Sequence, residues 1–203
     1  MIRVLLVHDT SLLRTALAEL IGREPDLEVH AAPWRRAVLT ARTVRPRVCV
    51  VDMDSPHAGG PGGVRELASG SGTGDGRPCL LALASAERPG PLRRAYEERA
   101  LGYLSKNASP DRLADGIRHV AQGERYIDES LGFGFLEASE IPLTRRELTV
   151  LTLAAEGATV GEIARRLHLS NGTVRNYMSA ITRKTGARNR VDAIRISQGA
   201  GWV

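Results

Sequence analysis

Residues 162–184 read EIARRLHLSNGTVRNYMSAITRK, and this stretch predicts two short helices joined by a tight turn. Apolar residues recur at helical spacing in both halves, so each helix is expected to bury one side. In the second helix Arg175, Asn176 and Ser179 stand at i, i+1 and i+4, which places them on one strip. Such a helix packs through one side and offers polar and basic groups to a polyanion on the other.

Capping signals frame these two helices. Thr144 with Glu147 and Thr159 with Glu162 each fit a capping box, and Ser170 is a candidate N-cap. They predict a helix after Thr144, a helix over 160–167 and a helix over 171–185, with a last helix over roughly 189–199. Residues 143–203 are therefore predicted to form a small all-α domain with a tight helix-turn-helix.

Charge separates this domain from the rest of the 203-residue chain. Residues 1–142 hold 18 basic and 19 acidic residues, whereas residues 143–203 hold 10 basic and 4 acidic ones. A basic segment attached to a neutral one points to a polyanionic partner for the basic part. Together with the capped two-helix frame, this charge favours double-stranded DNA, read in its major groove.

The first part of the chain alternates between strand and helix patterns. Apolar runs of strand length occur at 2–7, 27–32, 47–52, 79–85 and 101–106, and each precedes a helical pattern. Five such units predict a five-stranded parallel sheet covered by helices on both faces. A loop is expected near 69–76, and residues 123–142 are expected to connect the two domains as a tether with a partial helix ending at Ala138.

Polar groups follow four of the predicted strands, where a parallel sheet places its ligand site. Asp9 follows the first strand, Asp52 ends the third, Ser85 ends the fourth and Lys106 ends the fifth. Carboxylates bind Mg²⁺, a hydroxyl and an ammonium contact phosphate oxygens, and an aspartate can act as a nucleophile. These strand ends therefore predict a site for Mg²⁺ and a phosphoryl group.

These residues carry a resemblance over nearly the whole chain. Residues 1–122 resemble the flavodoxin-like receiver domain of two-component response regulators, and residues 143–203 resemble a LuxR-type helix-turn-helix domain, so the whole is similar to a NarL/FixJ-type response regulator. The resemblance implies that Asp52 is the phosphoacceptor and that Asp9 and Asp52 hold Mg²⁺. It also implies that Ser85 and Lys106 sense the phosphate, that Tyr103 is the fifth-strand aromatic, and that Pro56 and Gly60 lie in the loop after Asp52.

The same resemblance assigns roles within the helix-turn-helix. Arg175, Asn176 and Ser179 are expected to reach base edges, since arginine prefers guanine and asparagine prefers adenine. A second set is expected to hold phosphates and fix the register of the helix: Ser170, Thr173, Arg183 and Lys184. One such helix reads few bases, so a homodimer on two half-sites is expected.

One position departs from the family pattern. His8 stands where the family has the first of two adjacent acids, which removes one negative charge and predicts weak Mg²⁺ binding. We expect His8 to be a partly exposed loop residue. Two modes of control follow: phosphorylation of Asp52, or phosphorylation-independent control by a ligand, by constitutive dimerisation or by pairing with another regulator.

Other features of the sequence argue against an enzyme, a membrane protein and a disulfide-rich secreted protein. Asp52-Met53-Asp54 resembles the acid pair of haloacid-dehalogenase-type phosphatases, but that pair belongs on the first strand, so we expect no enzyme and no catalytic residue. No apolar run reaches the ~20 residues of a membrane span, no signal peptide is evident, and two cysteines are too few for a disulfide framework. We expect a cytoplasmic protein with no membrane partner, no cofactor besides Mg²⁺, and a sensor histidine kinase or another response regulator as a partner.

Overall fold

The computed structural model describes residues 1–59, 62–69 and 77–203. Gly60 and most of the predicted loop over 69–76 lie outside these ranges. The chain divides into two compact units, one formed by Met1–Ala86 with Pro91–Leu136 and the other by Glu87–Gly90 with Glu137–Val203. The predicted fold class is confirmed for both parts.

The first unit is built on a parallel sheet with the strand order β2-β1-β3-β4-β5-β6. Its inner strands are almost wholly apolar, as expected where helices cover both faces. The strands are β1 (Ile2–Val7), β2 (Leu27–Ala32), β3 (Val48–Asp52), β4 (Cys79–Ala84), β5 (Gly102–Ser105) and β6 (Tyr126–Ile127). The helices are α1 (Ser11–Gly22), α2 (Trp34–Val44), α3 (Val64–Ser69), α4 (Pro89–Glu97) and α5 (Pro110–Ala121), with a short 3-10 helix at Pro56–Gly59.

The sheet has one strand more than the five predicted. β6 pairs in parallel with β5, with Tyr126 opposite Gly102 and Ile127 opposite Tyr103. The carboxylate of Asp128, which is 1% exposed, then accepts the backbone N–H of Ser105 at 3.3 Å. The first half of the expected tether is thus part of the sheet unit. A 3-10 helix (Glu129–Leu131) and helix α6 (Gly132–Glu140) follow, and only together do they cover the partial helix, which was expected to start at Asp128 or Glu129 and end at Ala138.

The second unit contains the four predicted short helices, α7 (Arg145–Ala155), α8 (Val160–Leu167), α9 (Asn171–Lys184) and α10 (Arg190–Gly199). Both capping boxes are present, and the Ser170 side chain caps α9 by accepting the N–H of Thr173. His168 makes the turn between α8 and α9 in a left-handed conformation, with φ of 54°. Ile163, Val174 and Ile181 are fully buried in the core that fixes α9 against α7 and α8.

Candidate functional site

The carboxyl ends of β1, β3, β4 and β5 form an acidic pocket, as the topology predicts. Lys106, which follows β5, places its Nζ 2.5 Å from Oδ1 of Asp52 at the end of β3. The Asp52 side chain is only 8% exposed. The structure therefore brings the expected phosphoacceptor and the expected phosphate-pairing lysine into direct contact.

A second carboxylate, that of Asp54, also enters this pocket. Its Oδ2 lies 2.9 Å from Lys106 Nζ and accepts the hydroxyl of Ser85 at 2.6 Å. Burial acts to lower the pKa of Lys106, but hydrogen bonds from the ammonium to Asp52 and Asp54 outweigh it and raise that pKa. Lys106 therefore stays charged between two aspartates.

Asp9 lies at the rim of the pocket and is held by groups of the chain itself. Its Oδ1 accepts the backbone N–H of Trp34 at 3.0 Å, and its Oδ2 accepts the Ser55 hydroxyl at 2.6 Å and lies 2.9 Å from His57 Nδ1. Burial acts to raise the pKa of Asp9, but these hydrogen bonds outweigh it and lower that pKa. Asp9 is therefore ionised at neutral pH.

The expectation that His8 is a partly exposed loop residue is wrong. His8 is 6% exposed, because the ring turns inward beside Asp52. Its Nδ1 accepts the backbone N–H of Thr10 at 3.1 Å, so the neutral ring carries its proton on Nε2, which lies 3.6 Å from Asp52 Oδ2. Burial lowers the pKa of His8 despite the nearby carboxylates, so the ring is neutral at pH 7.

As arranged, these residues do not fit a resident Mg²⁺. The described residues contain no group of three acidic, histidine or cysteine side chains placed to hold a metal ion. Both oxygens of Asp9 accept hydrogen bonds from the chain, and Oδ1 of Asp52 is paired with Lys106. Mg²⁺ demands nearly ideal octahedral oxygen geometry, which this set does not offer without rearrangement.

Replacing His8 by aspartate is expected to tighten Mg²⁺ binding by about tenfold, because it adds a carboxylate beside Asp9 and Asp52. Trp34 can report the binding, since its indole N–H donates to the carbonyl of Asp52 at 3.2 Å. Mg²⁺ would be titrated into wild-type and His8→Asp chains that carry Trp202→Phe, so that Trp34 is the remaining tryptophan. His30→Asp, an equal charge change on β2, is the control; equal affinities in all three proteins would contradict this expectation.

Tyr103 is buried against α6. It is 5% exposed, and its ring meets that of Phe135 in α6 edge-to-face at 5.0 Å between centroids. Burial raises the pKa of Tyr103 to about 12, so the phenol stays protonated. The fifth-strand aromatic therefore joins the sheet to α6.

In the second unit, one side of helix α9 is exposed. Val174, Met178 and Ile181 are buried, whereas the predicted base-reading residues are exposed on the opposite side: Arg175, Asn176 and Ser179. Arg183 is exposed one turn further on. The predicted strip is therefore available along α9.

The other predicted phosphate contacts have roles inside the domain. Ser170 caps α9, and its hydroxyl lies 2.9 Å from that of Thr173. Lys184 Nζ lies 2.7 Å from Oε2 of Glu147, a carboxylate whose side chain is 6% exposed. The phosphate contact of Lys184 stays a prediction, while the ion pair assigns this lysine to the packing of α9 on α7.

Sequence reasoning missed several residues of the pocket and the domain. Ser55, His57 and Trp34 border the pocket and were not predicted, whereas Asp54 and Glu147 were noted in the sequence without their contacts to Ser85 and to a lysine 37 residues away. Asp54 carried a signal, because it follows a buried strand two residues after Asp52. The direction of its side chain depends on the turn that follows β3, which no spacing in the sequence specifies.

A doubly wound domain with an acidic pocket, followed by a capped helix-turn-helix, defines a two-domain regulator that binds DNA. Residues 141–197 match the family model described as bacterial regulatory proteins, luxR family. Response regulator RamR of Streptomyces coelicolor is 48% identical over 212 residues, covering 100% of this chain and 98% of that protein. Transcriptional regulatory protein DesR of Bacillus subtilis is 36% identical over 206 residues, covering 100% and 99%.

The chain therefore belongs to the response regulators with a LuxR-type DNA-binding domain, a family of transcription regulators and not of enzymes. The structure of RcsB from Salmonella enterica serovar Typhimurium, bound to promoter rprA with the phosphomimetic BeF3⁻, matches at a TM-score of 0.73. It covers 98% of this chain and 99% of that one, and at 18% identity the likeness shows the fold alone. Among the described residues, no helix is both long and apolar enough to cross a membrane.

Proposed function

We propose that this chain is a cytoplasmic transcription regulator that reads DNA bases through Arg175, Asn176 and Ser179, with its receiver-like domain controlling that binding. The observation that carries the proposal is the strip on α9, which is exposed while the other side of the helix is buried. The N-terminal half of such a helix enters the major groove, where arginine and asparagine distinguish base pairs. The excess of basic residues in 143–203 supplies the attraction to phosphates.

The target is expected to be two half-sites bound by a homodimer. Selection of DNA from a random pool by the full chain tests this, because a two-fold symmetric dimer selects an inverted repeat whose centres lie about one helical turn or a multiple apart. Enrichment of no sequence, or of a single half-site, would contradict the proposal. The selected DNA then serves as the operator for the other measurements.

Replacing Arg183 by alanine is expected to weaken binding to all DNA sequences alike and to reduce the salt slope of the logarithm of affinity by about one, since it removes one phosphate contact. Affinities would be measured by fluorescence anisotropy across a series of salt concentrations. Arg36→Ala, which removes an exposed arginine from α2, is the matched control. A salt slope equal to that of the control would remove Arg183 from the phosphate contacts.

For the receiver-like domain, we propose from the family pattern that Asp52 is the phosphoacceptor. A carboxylate oxygen of Asp52 would attack the phosphorus of acetyl phosphate, the new O–P bond would form as the bond to the acetyl oxygen breaks, and acetate would leave. Wild-type protein is expected to accept little phosphoryl group, because His8 replaces an acid and Lys106 is engaged by two aspartates. Phosphorylation-independent control stays the alternative proposal for this domain.

The same proposal covers the partners. The chain is proposed to work in the cytoplasm, with a sensor histidine kinase or another response regulator as its partner. The chain itself is proposed to catalyse no reaction on a substrate. Mg²⁺ is the single metal ion that the family pattern implies, and Asp9 and Asp52 would have to rearrange to hold it, which makes weak binding the expectation.

A further inference from the structure

A single carboxylate oxygen in the pocket engages both groups that the family pattern assigns to a phosphate. Oδ2 of Asp54 accepts the Ser85 hydroxyl at 2.6 Å and lies 2.9 Å from Lys106 Nζ. The Asp54 side chain is 10% exposed, and that of Lys106 is 31% exposed. These are charge-assisted contacts in a partly buried site, and both features strengthen them.

A carboxylate oxygen and a phosphoryl oxygen present the same chemistry to a hydroxyl and an ammonium, since both are anionic acceptors. Ser85 and Lys106 therefore already hold an anion while Asp52 is unmodified. Lys106 Nζ contacts Asp52 at 2.5 Å and Asp54 at 2.9 Å. The ammonium therefore neutralises part of the negative charge that a divalent metal ion would otherwise neutralise.

Ser85 is linked to α6 through Ala86, the next residue of the chain. A β-carbon at Gly134, near the start of α6, would lie 2.5 Å from the carbonyl oxygen of Ala86 and 2.7 Å from Cδ1 of Leu92. The start of α6 thus rests directly against the residue after Ser85, and Phe135 rests on Tyr103 beside it. The position of Ser85 is therefore connected by packed atoms to the start of α6, within the receiver-like unit.

We propose that Asp54 supplies, from within the chain, the anion that Ser85 and Lys106 would otherwise take from a phosphoryl group on Asp52. Ser85 and Lys106 of the receiver-like domain then stay bound to an anion without phosphorylation. As a consequence, the start of α6 stays packed against Ala86. This inference rests on the roles proposed above for Asp52, Ser85 and Lys106. It assigns Asp54 as a positioning residue that makes control of this regulator independent of phosphorylation.

Removal and replacement of the carboxylate test the inference in the full chain. Asp54→Ala is expected to speed amide hydrogen exchange across residues 132–136 by about tenfold, because Ser85 and Ala86 lose their anchor. Sodium formate is expected to slow that exchange again by placing a carboxylate between Ser85 and Lys106, while sodium chloride at equal ionic strength does not. Asp111→Ala, which removes an exposed carboxylate from α5, is the matched control and is expected to exchange as the wild type does.

DNA affinity measured on the same proteins separates the inference from the proposed function. Asp54→Ala is expected to bind the selected operator about tenfold more weakly than wild type and to recover with formate. Unchanged exchange in Asp54→Ala would overturn the inference, and so would faster exchange that formate does not restore, since Asp54 would then only support the fold. Absence of DNA binding by wild type, with the exchange results as expected, would instead contradict the proposed function.

Discussion

Arg175→Ala is expected to weaken binding of the full chain to its selected operator by about 1–3 kcal/mol and to relax base preference at one position of each half-site. The reason is geometric: Arg175 is exposed at the start of α9, and its guanidinium can donate two hydrogen bonds to a guanine edge. Affinity would be measured by anisotropy for the operator and for a set of single base-pair variants. Circular dichroism would confirm that the variant keeps its fold.

Arg183→Ala is the informative comparison for Arg175→Ala. Both variants lose one exposed arginine of α9, so they share the change in net charge. A loss of affinity that is uniform over all sequences identifies a phosphate contact, whereas a loss confined to one base position identifies a base contact. Arg175 is not a base-reading residue if its variant binds every operator variant in the wild-type order of preference.

The second large effect is expected on stability. Lys184→Ala is expected to lower the free energy of unfolding of the DNA-binding unit by about 1.5–3 kcal/mol, the range for a hydrogen bond to a charged group. Lys184 lies 2.7 Å from Glu147, whose carboxylate is nearly buried and also accepts the N–H of Thr144 at 2.6 Å. Without the lysine this buried charge loses its counter-ion. Urea unfolding at pH 7 measures the effect, and the neighbouring exposed Arg183→Ala is the control.

The pH dependence of this difference follows from Glu147. Burial acts to raise the pKa of Glu147, but its contacts with Lys184 and Thr144 outweigh it and lower that pKa. A carboxyl whose folded-state pKa is lowered contributes stability above its unfolded pKa and loses it as pH falls through the folded pKa. The gap between wild type and Lys184→Ala should therefore shrink as pH falls below the ordinary glutamate value of 4.5. A gap that stays constant down to pH ~3 would show that the ion pair is not its cause.

The helix-turn-helix could be predicted from local sequence because its signals are local. Thr144 with Glu147, Thr159 with Glu162, and Ser170 each cap a helix within three residues, and the buried side of α9 follows helical spacing. The alternation of strands and helices likewise predicted the order of elements in the sheet unit. In both cases the physical cause lies within a few residues of the pattern.

Other features depend on distant packing and left no clear pattern. β6 contains only Tyr126 and Ile127, too few residues to show a periodicity, and it is held by pairing with β5 and by the buried Asp128. His8 was expected to be partly exposed, yet its ring is buried, accepts a hydrogen bond from the Thr10 N–H and lies beside Asp52. The partners of Asp54 and Glu147 lie 31 and 37 residues away in the chain, so the fold alone brings them together.

The central claim is that this response regulator recognises DNA through α9 while Asp54 occupies the place of a phosphoryl group. The most direct test is the affinity of wild-type protein for its selected operator before and after incubation with acetyl phosphate and Mg²⁺, with intact mass measured on the same samples. We predict tight operator binding that changes by less than about twofold, with little mass added. Stoichiometric addition of one phosphoryl group together with a rise in affinity of about tenfold or more would contradict the account.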